Sequence, residues 1–149
     1  MKWIHKVGLA VEQDGRLLVA RKSGSDIFIL PGGKPEAQES DLQTLSREIR
    51  EELDCEVDHP VLRGVFTDVV AGTADSVVVV RLYSGNLVGE PRPCSEIEEL
   101  AWVDISKPLL KLAPSIENGI LPFLRKKMRN RSRAQTTREP FQSAFKIFE

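Results

Sequence analysis

Residues 46–57, SREIREELDCEV, gather Glu48, Glu51, Glu52, Asp54 and Glu56, with Arg47 and Arg50 as the only basic residues. Across residues 40–53, Leu42, Leu45, Ile49 and Leu53 recur at three- and four-residue steps. That spacing predicts a helix with one buried face. With Ile49 at zero, the three leucines fall within about 40° of it, Glu52 near about −60°, Glu48 near about −100° and Glu51 near about −160°. The glutamates therefore form one contiguous face, and Glu52 lies on the shoulder of the buried stripe. Arg50 points to the other side. Glu48 and Glu52 are a like-charge pair one turn apart, which disfavours an isolated helix. Partial burial of Glu52 adds a desolvation cost. Folding alone does not favour this layout, whereas a hard divalent cation such as Mg²⁺ or Mn²⁺ does. An acidic helix face standing alone is more often just solvated, so the residues around it decide.

Just upstream, IFILPGGKPEAQES ends a short strand on Pro31, Gly32 and Gly33 before a loop leads into the helix. Adjacent glycines let backbone groups approach a ligand closely. The rest of the chain reads as a single domain of 149 residues with 41% apolar and 29% charged residues. That is the composition of an ordinary soluble globular protein, long enough to bury a core. A net charge of −1 gives no global sign of nucleic-acid or membrane binding. Cys55 and Cys94 lack metal-ligand spacing and suggest a reduced, cytoplasmic protein. The N-terminal stretch, broken by Lys2, His5, Lys6 and Glu12, has no signal-like apolar run, and no segment is long enough to span a bilayer.

Residues 3–22 read as a hairpin about the turn QDG. VLRGVFTDVV, SVVVVRLYSG and ELAWVDI read as further strands, the second apolar enough for a sheet centre. A late helix follows, with Ser115 as its N-cap and Gly119 and Pro122 awkwardly inside it. Strands with an early and a late helix predict a mixed sheet with helices packed on it.

Taken together, Gly33, Glu39 and the run from Arg47 to Cys55, at these spacings, resemble the Nudix box. Asp54 stands where that family usually has glycine, and Gln38 stands where glycine is frequent. Asp can adopt the left-handed conformation that such a helix end requires. The resemblance implies an α/β/α sandwich around a mixed central β-sheet, and hydrolysis of a phosphoanhydride in a nucleoside diphosphate linked to another group. It implies that Glu48, Glu51, Glu52 and the Gly32 carbonyl hold Mg²⁺, with Mn²⁺ as the alternative. It also implies that Arg47 and Glu39 support the loop–helix geometry, and that Gly33 is structural. The general base is Glu48 or an acid of CSEIEELAW, with Glu96, Glu98 and Glu99 as candidates. Arg21 and Lys34 are candidate phosphate contacts. Trp3, Phe28, Phe66 and Tyr83 are candidate base platforms. The implied partner is a small-molecule nucleotide, with no stable nucleic-acid partner and no membrane. A binding or regulatory module with weak catalysis is the alternative, although such modules commonly lose box glutamates. A module for protein contacts, with the acidic face merely solvated, is the third class.

From Arg125 onward there are eight Lys and Arg residues against two glutamates, so a basic end follows an acidic body. The sequence divides into a Nudix domain over residues 1–128 and a basic tail over residues 129–149. In the tail, Phe141, Phe145 and Phe148 share one helical face after Pro140. Such a face predicts docking on its own domain or on a second subunit of a homodimer, with a disordered end as the alternative.

Overall fold

The computed structural model describes residues 1–148, with side chains through residue 134. In chain order the elements are β1 (Lys2–Ala10), β2 (Glu12–Gln13), β3 (Arg16–Lys22), β4 (Phe28–Ile29), β5 (Gly32–Gly33), α1 (Asp41–Leu53), β6 (Glu56–Val69), β7 (Ser76–Val88) and β8 (Ile97–Asp104). A π-helical turn (Ile116–Ile120) then leads into α2 (Leu121–Phe148).

The expected hairpin is corrected. β1 does not pair with β3; it pairs in parallel with β7 at nine positions, from Lys2 opposite Ser76 to Ala10 opposite Ser84. The QDG turn is real but short, with Asp14 and Gly15 at φ +52° and +75°. It joins only Glu12 and Gln13 to β3. The two pairings that this turn supplies are outweighed by the long apolar partner in β7. The result is a mixed sheet in the order β5-β1-β7-β6 and an antiparallel sheet in which β3 pairs with β2, β4 and β8.

Alternation along the strands builds two cores. Val7 and Leu9 of β1, Leu18 of β3 and Tyr83 of β7 face Leu45, Ile49 and Leu53 of α1. Leu17 and Val19 of β3, and Val78, Val80 and Leu82 of β7, face Ile116, Ile120, Leu121 and Leu124. The helices thus lie on opposite sides of the sheets, as an α/β/α sandwich requires.

α1 begins with a capping box. Ser40 Oγ accepts from the Gln43 N–H at 3.2 Å, and Gln43 Oε1 accepts from the Ser40 N–H at 2.9 Å. Asp54 ends the helix in the left-handed conformation, at φ +55° and ψ +41°. Leu42 departs from the expected stripe and is exposed, whereas Thr44, on the glutamate side, is fully buried. The loop ahead of α1 folds over that side, and Thr44 Oγ1 donates to Glu39 Oε1 at 3.0 Å.

Ser115 makes no capping bond and is itself helical. Pro122 is the second residue of α2, directly after the π turn, where the ladder already departs from the α pattern. Gly119 makes room for Phe66, since a Cβ there would stand 2.9 Å from Phe66 Cδ1. α2 is pinned to the body by Arg125, which donates to the Ile105 carbonyl at 2.8 Å, and by Lys127, paired with Glu12 at 3.0 Å. The boundary expected after residue 128 falls inside this helix. The side chains of Phe141, Phe145 and Phe148 lie outside the described residues. Among the described residues, no helix is long and apolar enough to cross a membrane.

Candidate active site

β5 consists of two glycines at the end of the mixed sheet, between the glutamate face of α1 and an open cavity of about 660 Å³. Each glycine is required where it stands. Gly32 has φ +139°, and a Cβ on it would meet the Val7 carbonyl oxygen at 2.1 Å. A Cβ on Gly33 would stand 2.5 Å from the Glu48 carboxyl carbon. The missing side chain lets that carboxylate reach the cavity wall.

Arg47 organises the loop and the helix together. Its Nε and Nη2 donate to the two Glu39 oxygens at 2.7 and 2.9 Å, and Nη2 also donates to the Lys34 carbonyl at 3.2 Å. Nη1 donates to Glu48 Oε1 at 2.8 Å and reaches Glu51 Oε2 at 3.5 Å. The Glu39 carboxylate also accepts from the Glu36 N–H at 2.7 Å. The Arg47 guanidinium, followed by that N–H, holds the Glu39 carboxyl down at about 2. Glu39 in turn is the main reason the Arg47 pKa is raised.

Glu52 is the outlier. It is 2% exposed, and Oε1 accepts from the Gly32 N–H at 2.8 Å. Oε2 is buried with no hydrogen-bond partner. Burial, opposed by the Gly32 N–H and reinforced by Glu48, pushes its carboxyl up to about 7. A cation would relieve this uncompensated, buried oxygen, and the donor set of Glu48, Glu51, Glu52 and the Gly32 carbonyl is all oxygen, as a hard divalent ion prefers. Glu48 lines the cavity, whereas Glu52 is buried against the Gly32 N–H. Glu51 is half-exposed and leans on Arg47. Among the described residues, no three His, Cys, Asp or Glu side chains converge tightly enough to enclose a metal.

The cavity wall includes Lys34 and Glu96, both singled out in the sequence, and also Lys6 and Lys22, which were not. Lys6 shares one face of β1 with Ile4 and Gly8, which also line the cavity. Lys22 pairs with Glu96 at 3.2 Å. Arg21 and Phe28 do not line the cavity, contrary to the sequence reading. Phe28 is buried in the core, where apolar burial claims it. Arg21 donates to Glu99 at 3.1 Å and to the Ser25 carbonyl at 2.9 Å, which occupies it with structural partners and takes Glu99 away from the cavity. Glu98 likewise pairs with Arg21, at 3.7 Å. Tyr83 is no base platform either, since its hydroxyl donates to Asp41 at 2.9 Å from the α1 side. Phe66 packs against Phe123 at 5.7 Å.

A NUDIX domain family model matches residues 5–125. The chain belongs to the NUDIX domain family. It is 32% identical over 136 residues to YvcI, an uncharacterized Nudix hydrolase of Bacillus subtilis (strain 168), covering 85% of this chain and 82% of that one. A CTP pyrophosphohydrolase of Escherichia coli (strain K12) is 45% identical over 60 residues, covering 38% of this chain and 44% of that one. The crystal structure of a MutT NUDIX hydrolase from Burkholderia pseudomallei superposes with a TM-score of 0.65 at 26% identity, covering 75% of this chain and 91% of that chain. The fold is the Nudix α/β fold, and the chain is a Nudix-type hydrolase.

Proposed function

We propose that this Nudix hydrolase cleaves a phosphoanhydride bond in a nucleoside diphosphate linked to a further group, nucleoside triphosphates included, with Mg²⁺ as cofactor and Mn²⁺ as the alternative. The observation that carries the reading is Glu52, a buried carboxylate with one oxygen on the Gly32 N–H and the other without a partner. Among the relatives, the CTP pyrophosphohydrolase supports a nucleotide substrate.

Glu48, Glu51, Glu52 and the Gly32 carbonyl would hold the cation. When bound, it would offset the negative charge that builds on the phosphoryl oxygens. The chain's own groups do the rest. Arg47 fixes the Glu48 carboxylate at the cavity wall, with Glu39 fixing Arg47. Lys34 faces the phosphates. A water oxygen attacks phosphorus, the anhydride P–O bond breaks, and its electron pair leaves on the departing phosphate or nucleotide. The water proton passes to a cavity carboxylate, which is Glu48 or Glu96. Glu48→Gln and Glu96→Gln, each titrated with Mg²⁺, separate the two, because the base variant stays slow at saturating metal.

The reading is tested by incubating the pure protein with a nucleotide panel, with and without Mg²⁺, and following released products. Release from at least one nucleotide, dependent on the metal, is the expected result. No release from any of them would contradict it.

A further inference from the structure

The wall of the cavity beside Gly33 combines two unlike sets of side chains. One is charged, with Lys6, Lys22 and Lys34 near Glu48 and Glu96. The other is aliphatic, built from residues such as Ile4, Ile27, Val78, Val80 and Ile116. Among the described residues, no aromatic, histidine, asparagine or glutamine side chain lines it. Three nearby backbone N–H groups are already committed. The Ala113 N–H donates to Phe28, the Ile116 N–H to Ala113 and the Val70 N–H to Ser76. The wall holds two hydroxyls: Ser25 Oγ accepts from the Ile27 N–H at 3.1 Å, and Ser115 is buried.

This composition bears on specificity. A site that hydrogen-bonds a substrate edge rejects analogues lacking that edge by about 10⁴-fold or more, whereas an apolar wall discriminates by only about 10- to 200-fold. Stacking on an aromatic platform would give affinity without base selectivity, and this wall has no such platform.

The charged set is different. Among the described residues, neither Lys6 nor Lys34 has a carboxylate within ion-pair distance, while Lys22 shares Glu96. Lys6 is partly buried and is held below the usual lysine range, first by lost hydration and then by Lys22 and Lys34. These are cations that repel one another in a partly apolar hollow, which a polyanion would relieve.

We propose that this cavity selects its substrate by the phosphate chain and not by the base: Lys6, with Lys34 and Lys22, takes the phosphates, and the base rests unread against the aliphatic wall. The substrate class is then nucleoside triphosphates as a group, not one canonical or one oxidised base. This rests on the nucleotide-hydrolase reading above and differs from what the name of the CTP-cleaving relative would suggest for this chain.

The experiment measures kcat and KM with Mg²⁺ for ATP, GTP, CTP and UTP, in wild type and in Lys6→Met, and adds inorganic triphosphate as a competitor lacking any base. Methionine keeps the length and apolar stem of lysine, and a melting curve checks the fold; Lys34→Met serves if Lys6→Met does not fold. The four kcat/KM values should lie within about tenfold of one another, as an apolar wall allows. Lys6→Met should raise KM for all four by a similar factor of about tenfold or more, with kcat changed less. Inorganic triphosphate should compete with an inhibition constant near the nucleotide KM. A preference for one base above about a thousandfold would overturn the proposal. So would an unchanged KM in Lys6→Met, or failure of inorganic triphosphate to compete. If wild type cleaves none of the four, the hydrolase reading fails separately. Calorimetric binding of inorganic triphosphate, lost in Lys6→Met, then still decides whether the lysines form a phosphate site.

Discussion

The Glu48 carboxylate fills the space that a side chain on residue 33 would take, with its Oε1 2.6 Å from where a Gly33 Cβ would stand. The glycine is therefore needed for the position of a neighbouring carboxylate and not for a turn. Gly33→Ala should push Glu48 aside and displace its bond from Arg47. Overpacking of this kind costs about 1–3 kcal/mol, and turnover should fall by about a hundredfold or more. Denaturant melts and initial rates check it; wild-type turnover in Gly33→Ala would show that the carboxylate position does not matter.

Arg47 joins four oxygens that a lysine could not join at once. Its fork meets both oxygens of Glu39, the Lys34 carbonyl and Glu48. Arg47→Lys should lower the melting temperature and the rate together. Glu39→Gln should do the same by loosening the guanidinium. Because the two act as one unit, the double variant should be scarcely worse than the poorer single variant. Additive losses would show that they act independently.

A pH effect is expected at the other end of α1. Arg81 donates to Asp41 Oδ1 and Oδ2 at 2.7 and 2.8 Å, and the Tyr83 hydroxyl donates a further bond. Arg81, followed by Tyr83, holds the Asp41 carboxyl below its ordinary range against the opposing effect of burial. The folded state thus binds its proton less readily than the unfolded chain. The resulting stability is present above the unfolded value of about 3.9 and is lost as pH falls through the folded value. Asp41→Asn should cost about 1–2 kcal/mol at neutral pH. The gap between variant and wild type should close in acid, as pH falls below about 4. A gap that stays constant down to acid unfolding would rule the linkage out.

Two left-handed residues give a stabilising test. Gln38 and Asp54 have φ of +68° and +55°. A non-glycine residue in that region costs about 1–2 kcal/mol, partly offset by the extra freedom glycine has when unfolded. Gln38→Gly should raise stability by about 0.5–1 kcal/mol. Asp54→Gly should gain less, because Asp54 also pairs with Arg92 at 2.8 Å. Denaturant midpoints read both, and a loss in Gln38→Gly would mean that its side chain has an unseen role.

The glutamate face was legible in the sequence because α1 is long, periodic and close in chain to the glycines it meets. The left-handed Asp54 was legible because few residues tolerate that position. The partner of β1 was not. Alternation says which face of a strand is buried but does not name its neighbour, and β7 lies more than sixty residues away. Leu42 was misjudged because a wheel drawn for an isolated helix cannot show the loop that covers one side of it and buries Thr44. Lys6 read as an interruption of an apolar strand. Only the structure shows that this interruption is a charge lining the cavity.

Glu52→Gln tests the account most directly. Glutamine keeps the shape and can still accept from the Gly32 N–H, while removing the charge whose second oxygen has no partner. The variant should fold and melt no lower than wild type without metal, since a costly buried charge is gone. With Mg²⁺ and the best nucleotide it should turn over about a hundredfold or more slowly, because a ligand for the neutralising cation is missing. A folded Glu52→Gln protein that hydrolyses at the wild-type rate would contradict the assignment of this carboxylate, and of the α1 face with it, to metal-assisted catalysis.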